Sequence, residues 1–132
     1  MSQENVEVVE RAWQAFNRGD LDAFTADVAE DVEFEEDPAF PEAGVFQGRE
    51  EVIAYIRGFQ EQMRDHHFEV EEVRDLGDKA LALLHETARG ASSGIGVDQS
   101  PAFLYEFKEA RITRVRAYLR RSEALKAVGL ER

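Results

Sequence analysis

Several side chains in this sequence have the chemistry to move protons. Glu36 and Asp37 stand together at the end of an apolar run, followed by Pro38. A carboxylate placed there can act as a general base on a carbon beside a carbonyl, if apolar surroundings raise its pKa and keep water away. Alternation separates the two: with Phe34 pointing into a core, Val32 and Glu36 share its face and Asp37 faces away. The proline-containing loop can also turn Asp37 inward, so both carboxylates remain candidates. The bland alternative is that both are solvated loop-side acids. His85 follows the apolar run 80–84 and shares a strand face with Leu81 and Leu83, a face that is either interior or outer surface. Paired with a carboxylate, a histidine titrating near neutral pH is a proton shuttle. His66 and His67 are adjacent and cannot both reach one side of a strand; with no cysteine in the chain, no metal site is expected. Trp13, Tyr55 and Tyr105 combine an apolar ring with a donor that wants a partner, which suits a pocket wall.

These residues need elements to position them. Val6, Val9, Trp13 and Phe16 recur at steps of three and four, the stripe of a first helix that Ser2 can cap and Gly19 stops. Asp20 caps a shorter helix burying Leu21, Phe24 and Val28. Residues 32–36 read as a short strand, followed by a loop with Pro38, Pro41 and Gly44. Gly48 precedes a third helix, with Val52, Ile56, Phe59 and Met63 on one face and Tyr55 flanking it. From residue 66 the period changes from helical to alternating. Four strands are predicted over 68–76, 79–89, 95–107 and 111–121, separated by turns at Gly77-Asp78, 90–94 and 108–110. Ser122 caps a last short helix ending at Gly129. Alternation puts Phe103, Tyr105, Ala117 and Leu119 inward with Phe34, and leaves Arg114, Arg116 and Tyr118 on the outer sheet face.

Helices followed by long antiparallel strands predict an α+β fold in one domain spanning residues 1–132. Its curved, largely antiparallel sheet forms a cone whose concave side is closed by the three helices of the N-terminal half. Such a cone holds a pocket. Trp13, Phe34, Tyr55 and Phe59 from the first half of the chain, with Phe103, Tyr105, Ala117 and Leu119 from the second, are its expected lining.

Composition narrows the functional classes. A net charge of −12 over 132 residues repels phosphate backbones and anionic lipids, so neither nucleic acid nor a membrane is an expected partner. Charge is unevenly spread: residues 1–50 hold 14 acids and 3 bases, whereas residues 111–132 hold 2 acids and 7 bases. The basic stretch is read as a solvated or subunit-facing strand surface. The opening residues lack the basic start and apolar run of a signal peptide, so the cytoplasm is the expected location. No phosphate-binding or serine-elbow motif is present; Gly94-Ile95-Gly96 lies in a strand turn without the helix a phosphate site needs.

Five segments carry a family resemblance: residues 5–9, residues 15–24, Asp31-Val32-Glu33-Phe34, residues 44–50 and Tyr118-Leu119-Arg120-Arg121. In these the chain resembles the nuclear transport factor 2-like superfamily, which includes ketosteroid isomerase and the SnoaL-like polyketide cyclases, the latter being the subgroup it is most similar to. The resemblance implies a ketosteroid isomerase-like α+β barrel, no cofactor, a small hydrophobic ligand, and a homodimer through the outer sheet face at Arg114, Arg116 and Tyr118. Ketosteroid isomerases keep their base in a similar Glu-Asp-Pro triplet, which implies Asp37; many SnoaL-like sequences keep an acid at the position matching Glu36. Their oxyanion hole uses a tyrosine and a protonated aspartate, at positions that here hold Ala12 and Phe103, so ketosteroid isomerase activity itself is not expected. A cofactor-independent isomerase or cyclase with a carboxylate base, aided by His85, is the first reading. A non-catalytic binding or dimerisation module of the same fold is the alternative, and an epoxide-hydrolase-like enzyme the third.

Overall fold

The computed structural model describes residues 2–40 and 44–130, leaving Pro41 and the side chain of Ser2 outside the described residues. Helix α1 (Ser2–Asn17) packs on α2 (Leu21–Phe24), whose cap Asp20 accepts a hydrogen bond from the Ala23 N–H at 3.0 Å. Strand β1 (Val28–Glu35) follows, then β2 (Val45–Gln47), α3 (Arg49–Glu61), β3 (Met63–Asp75), β4 (Lys79–Gly90), β5 (Gly96–Gln99), β6 (Ala102–Lys108), β7 (Arg111–Tyr118) and α4 (Arg121–Ala127). The seven strands form one sheet in the order β2-β1-β7-β6-β4-β3, with β5 beside the far half of β4. Only β1 and β7 run parallel; the other pairs are antiparallel. The α+β architecture matches the sequence reading, and the sheet is open, with β2 and β3 at its edges rather than closed on itself.

Three differences from the predicted elements have local causes. Val28 starts β1 instead of ending α2, because its carbonyl accepts from the Arg49 guanidinium and it pairs with Ile112 of β7. The predicted strand 95–107 is two strands, since Pro101 has no N–H for a ladder; its carbonyl instead accepts from Leu84 N–H at 3.0 Å. The chain also enters β3 at Met63, five residues before the alternation becomes apolar.

The core lies between the concave face and the helices, around Val9, Trp13, Phe68, Leu84 and Ile112. Each fully buried side chain of this kind contributes roughly 2 kcal/mol. The outer face carries a second cluster, where Leu81, Leu83, Ala102 and Tyr118 lie under Ala124 of α4. Tyr118 lies on the outer face as alternation places it, but α4 covers it: it is 6% exposed, with the Arg116 guanidinium 5.0 Å from its ring centroid, so it presents little surface to a second subunit. Arg114 and Arg116 do face outward, but Arg114 pairs with Glu33, Glu35 and Glu106, and Arg116 with Glu35. No helix among the described residues is long and apolar enough to cross a membrane.

Candidate functional site

The helices and the concave face enclose a cavity of about 130 Å³. All eight lining residues expected from the sequence reach it: Trp13, Phe34, Tyr55, Phe59, Phe103, Tyr105, Ala117 and Leu119. Further rings from Phe16, Phe24, Phe40 and Phe68 complete an almost continuous aromatic wall. Among the described residues, its carboxyl and imidazole groups belong to Glu36, Glu86 and His66, and no lysine or arginine lines it.

Glu36 and Asp37 divide as alternation suggests. Both are buried, at 9% and 8% exposure, but only Glu36 lines the cavity. Its Oε2 accepts the Tyr55 hydroxyl at 2.8 Å and its Oε1 accepts the Asp37 N–H at 2.9 Å. Burial pushes the Glu36 carboxyl above the usual 4.5. The two hydrogen bonds pull the other way, and the charges of Asp37 and Glu86 add to the rise. Asp37 turns from the cavity, and its carboxylate is occupied by backbone. Oδ2 accepts Leu119 N–H at 2.7 Å and Oδ1 accepts Ala39 N–H at 2.9 Å, tying the end of β1 to the end of β7.

His85 is not in the cavity. It projects from the outer face of β4, where its Nε2 lies 2.6 Å from Asp98 Oδ1 of β5. Its side chain is 34% exposed. That hydrogen bond, opposed by desolvation and aided by the charges of Asp98, Glu71 and Glu69, holds the imidazole above its ordinary value. The face shared with Leu81 and Leu83 is therefore the outer one.

The histidine in the cavity is His66, and it meets Glu86, the residue after His85. His66 Nε2 lies 2.6 Å from Glu86 Oε2, with side chains only 9% and 7% exposed. Two local features aim His66 inward. Asp65 and His66 together oppose the one residue between Arg89 and Thr87, a bulge in which Asp65 takes φ 51°. Asn17, at the end of α1, then pins the next inward residue. Its side-chain amide donates to Phe68 O at 2.8 Å and its carbonyl accepts Phe68 N–H at 2.9 Å. A signal for Glu86 exists in the sequence, since it keeps parity with Ala80, Ala82 and Leu84.

Two buried ring nitrogens on the wall have no hydrogen-bond partner among the described residues: Trp13 Nε1 and His66 Nδ1. Tyr105, fully enclosed, has its hydroxyl held well above the usual tyrosine value by burial, against a weak opposing pull from the nearby Trp13 indole. The indole N–H itself forms no bond of good geometry. An apolar cavity with two buried carboxyls, Glu36 and Glu86, and two unused nitrogens can orient a small ring by a few polar atoms.

The SnoaL-like domain family matches residues 9–115. No protein among those with curated descriptions matches the chain. Solved structures share the fold at low identity. An NTF2-like protein of Burkholderia pseudomallei K96243 is 21% identical over 93% of this chain and 95% of its own, with a TM-score of 0.81. A protein of Jannaschia sp. CCS1 described as a SnoaL-like polyketide cyclase is 18% identical over 99% and 95%, also at 0.81. A protein of Catenulispora acidiphila DSM 44928 with a ketosteroid isomerase-like fold, in complex with trimethylamine, is 17% identical over 94% and 93%, at 0.76.

Proposed function

The chain belongs to the SnoaL-like domain family, and from that premise we propose that its cavity is a cofactor-independent acid–base site with Glu36 as the base. The substrate is a small, mostly apolar ring bearing a carbonyl. The observation that carries this reading is a carboxyl buried in an aromatic wall, aligned by Tyr55 and held above the ordinary carboxylate range by desolvation. A base so placed accepts a proton from the carbon beside the carbonyl more readily than a solvated one. Size limits the class. A cavity of about 130 Å³ is comparable to the roughly 150 Å³ that admits one benzene ring, which suits a single ring.

The test is α-proton exchange in deuterated buffer, followed by NMR on cyclohexanone and cyclohexenone. Wild-type protein is expected to accelerate exchange, and Glu36→Gln to lower that rate by about 10²–10⁴-fold while the thermal midpoint stays close to wild type. Equal rates for the two proteins would sink the assignment of Glu36 as base.

One observation favours binding without turnover: both Glu36 oxygens already accept protein hydrogen bonds, as a structural acid's would. Under that reading the same ketones bind, displace no proton, and bind Glu36→Gln equally well.

A further inference from the structure

We propose that His66, held in place by Glu86, is the acid of this cavity: it delivers a proton to the substrate's carbonyl oxygen while Glu36 works on the carbon. The proposal rests on the reading of Glu36 as base and adds to it the group that handles the oxygen.

The argument begins with an incomplete pair. Burying a histidine and a glutamate together is costly unless each polar atom is satisfied. Here Nε2 is satisfied by Glu86 at 2.6 Å, yet Nδ1 is buried without a partner among the described residues. A buried polar atom left without a partner is uncommon in a folded protein and calls for an explanation. With Nε2 committed to a carboxylate, Nδ1 is the nitrogen left for a ligand. The ring cannot swing away, because Phe16 meets it edge-on at 5.3 Å and Phe59 and Phe68 lie at 5.7 and 4.8 Å.

Placement supports a division of labour. Glu36 leaves the end of β1 and His66 lies on β3, on opposite sides of a sheet with β7, β6 and β4 between them. Both line the same cavity, so a ring spanning it meets a carboxyl on one side and an imidazole on the other. The other unused donor, Trp13 Nε1, can hydrogen-bond an oxygen but has no proton to give up near neutral pH.

The step balances without an added reagent. Glu36 takes the C–H proton, and that bond's electron pair becomes the C=C of an enol. The C=O π pair closes onto oxygen, which receives the proton from His66 Nδ1. Return of the carboxyl proton to carbon, and of the enol proton to Nδ1, regenerates both groups and leaves the ketone exchanged or its double bond moved. Glu86 is a positioning residue in this scheme.

The probe is 4-nitrophenol, a single ring whose oxygen imitates the enolate. Its dissociation constant is measured against pH for wild type, Glu36→Gln, His66→Gln and Glu86→Gln, alongside the ¹⁵N shifts of His66. His66→Gln is expected to weaken binding by about tenfold or more. Glu86→Gln, which no longer holds Nε2 through a carboxylate, is expected to diminish the Nδ1 response to the probe; a purely structural role for Glu86 would leave that response in place. Glu36→Gln should bind at least as tightly, having lost a negative charge beside the anion. Saturating 4-nitrophenol should shift the Nδ1 resonance of wild-type His66, which keeps the test usable if His66→Gln does not fold. Wild-type affinity in folded His66→Gln, or an Nδ1 resonance that ignores the probe, overturns the proposal. Unchanged ketone exchange in Glu36→Gln removes the base instead, so the two failures are read in separate assays.

Discussion

Two histidine–carboxylate pairs of equal length occupy opposite faces of the same sheet. His66–Glu86 and His85–Asp98 are both 2.6 Å apart, and both use Nε2. Their acceptor and donor on β4 are consecutive residues. Yet the first pair has side chains 9% and 7% exposed, and the second 34% and 76%. Identical geometry therefore has different consequences. In water the pair competes with solvent and contributes little; inside, breaking it strands a buried group. A contact distance alone does not identify a functional pair, and what surrounds it does.

The largest effect is expected from breaking the inner pair. Glu86→Ala leaves His66 buried beside a void and should cost about 3 kcal/mol in urea unfolding, whereas Asp98→Ala should leave the urea midpoint where it is. Equal midpoints for the two variants would remove the contrast. Next comes Asp37→Ala, which empties a buried position and takes the acceptor from the partly buried N–H groups of Leu119 and Ala39, and should cost about 1–2 kcal/mol. If Asp37 also took part in proton transfer, ketone exchange in the folded variant would fall as far as in Glu36→Gln.

Smaller effects lie in pH dependence, and they separate the interior acid from the outer base. Burial raises the Glu36 carboxyl above 4.5, so above that pH the folded state binds more protons than the unfolded chain. Stability attributable to Glu36 should decline as pH rises from 4.5 through the raised value, and Glu36→Gln should abolish that slope. His85 is a base raised above 6.5 by Asp98. What it contributes is present below 6.5 and lost as pH rises through its raised value. Proton NMR should find His85 titrating above 6.5 in wild type and close to 6.5 in Asp98→Asn; the same midpoint in both would show that Asp98 does not hold it.

The parts of the site written in simple alternation are legible in the sequence. Glu36 and Asp37 face opposite ways as Phe34 dictates, and Phe103, Tyr105 and Ala117 point inward because β6 and the second half of β7 keep period two. His66 escapes that reading because it enters through a bulge, and the extra residue at Asp65 leaves no mark in apolar periodicity. Read from 68, the strand omits the inward position two residues earlier. Glu86 escapes it too, although parity with Leu84 marks it as an acid on an apolar face. Tyr118 differs for another reason: alternation assigns it a face, but only the tertiary packing of α4 decides whether that face is wet. The edge strand β2 reads as a turn, since Val45 is 52% exposed and three residues offer no pattern.

Trp13 is the sole tryptophan of the chain, and it sits in the cavity wall, 3% exposed, with its N–H unclaimed. Indole emission is governed by the groups around the ring, and here a guest would be among them. The protein thus carries a built-in fluorophore at the place where occupancy matters. A library of single-ring compounds can be ranked from its intrinsic emission, with no dye or tag, before any substrate is identified.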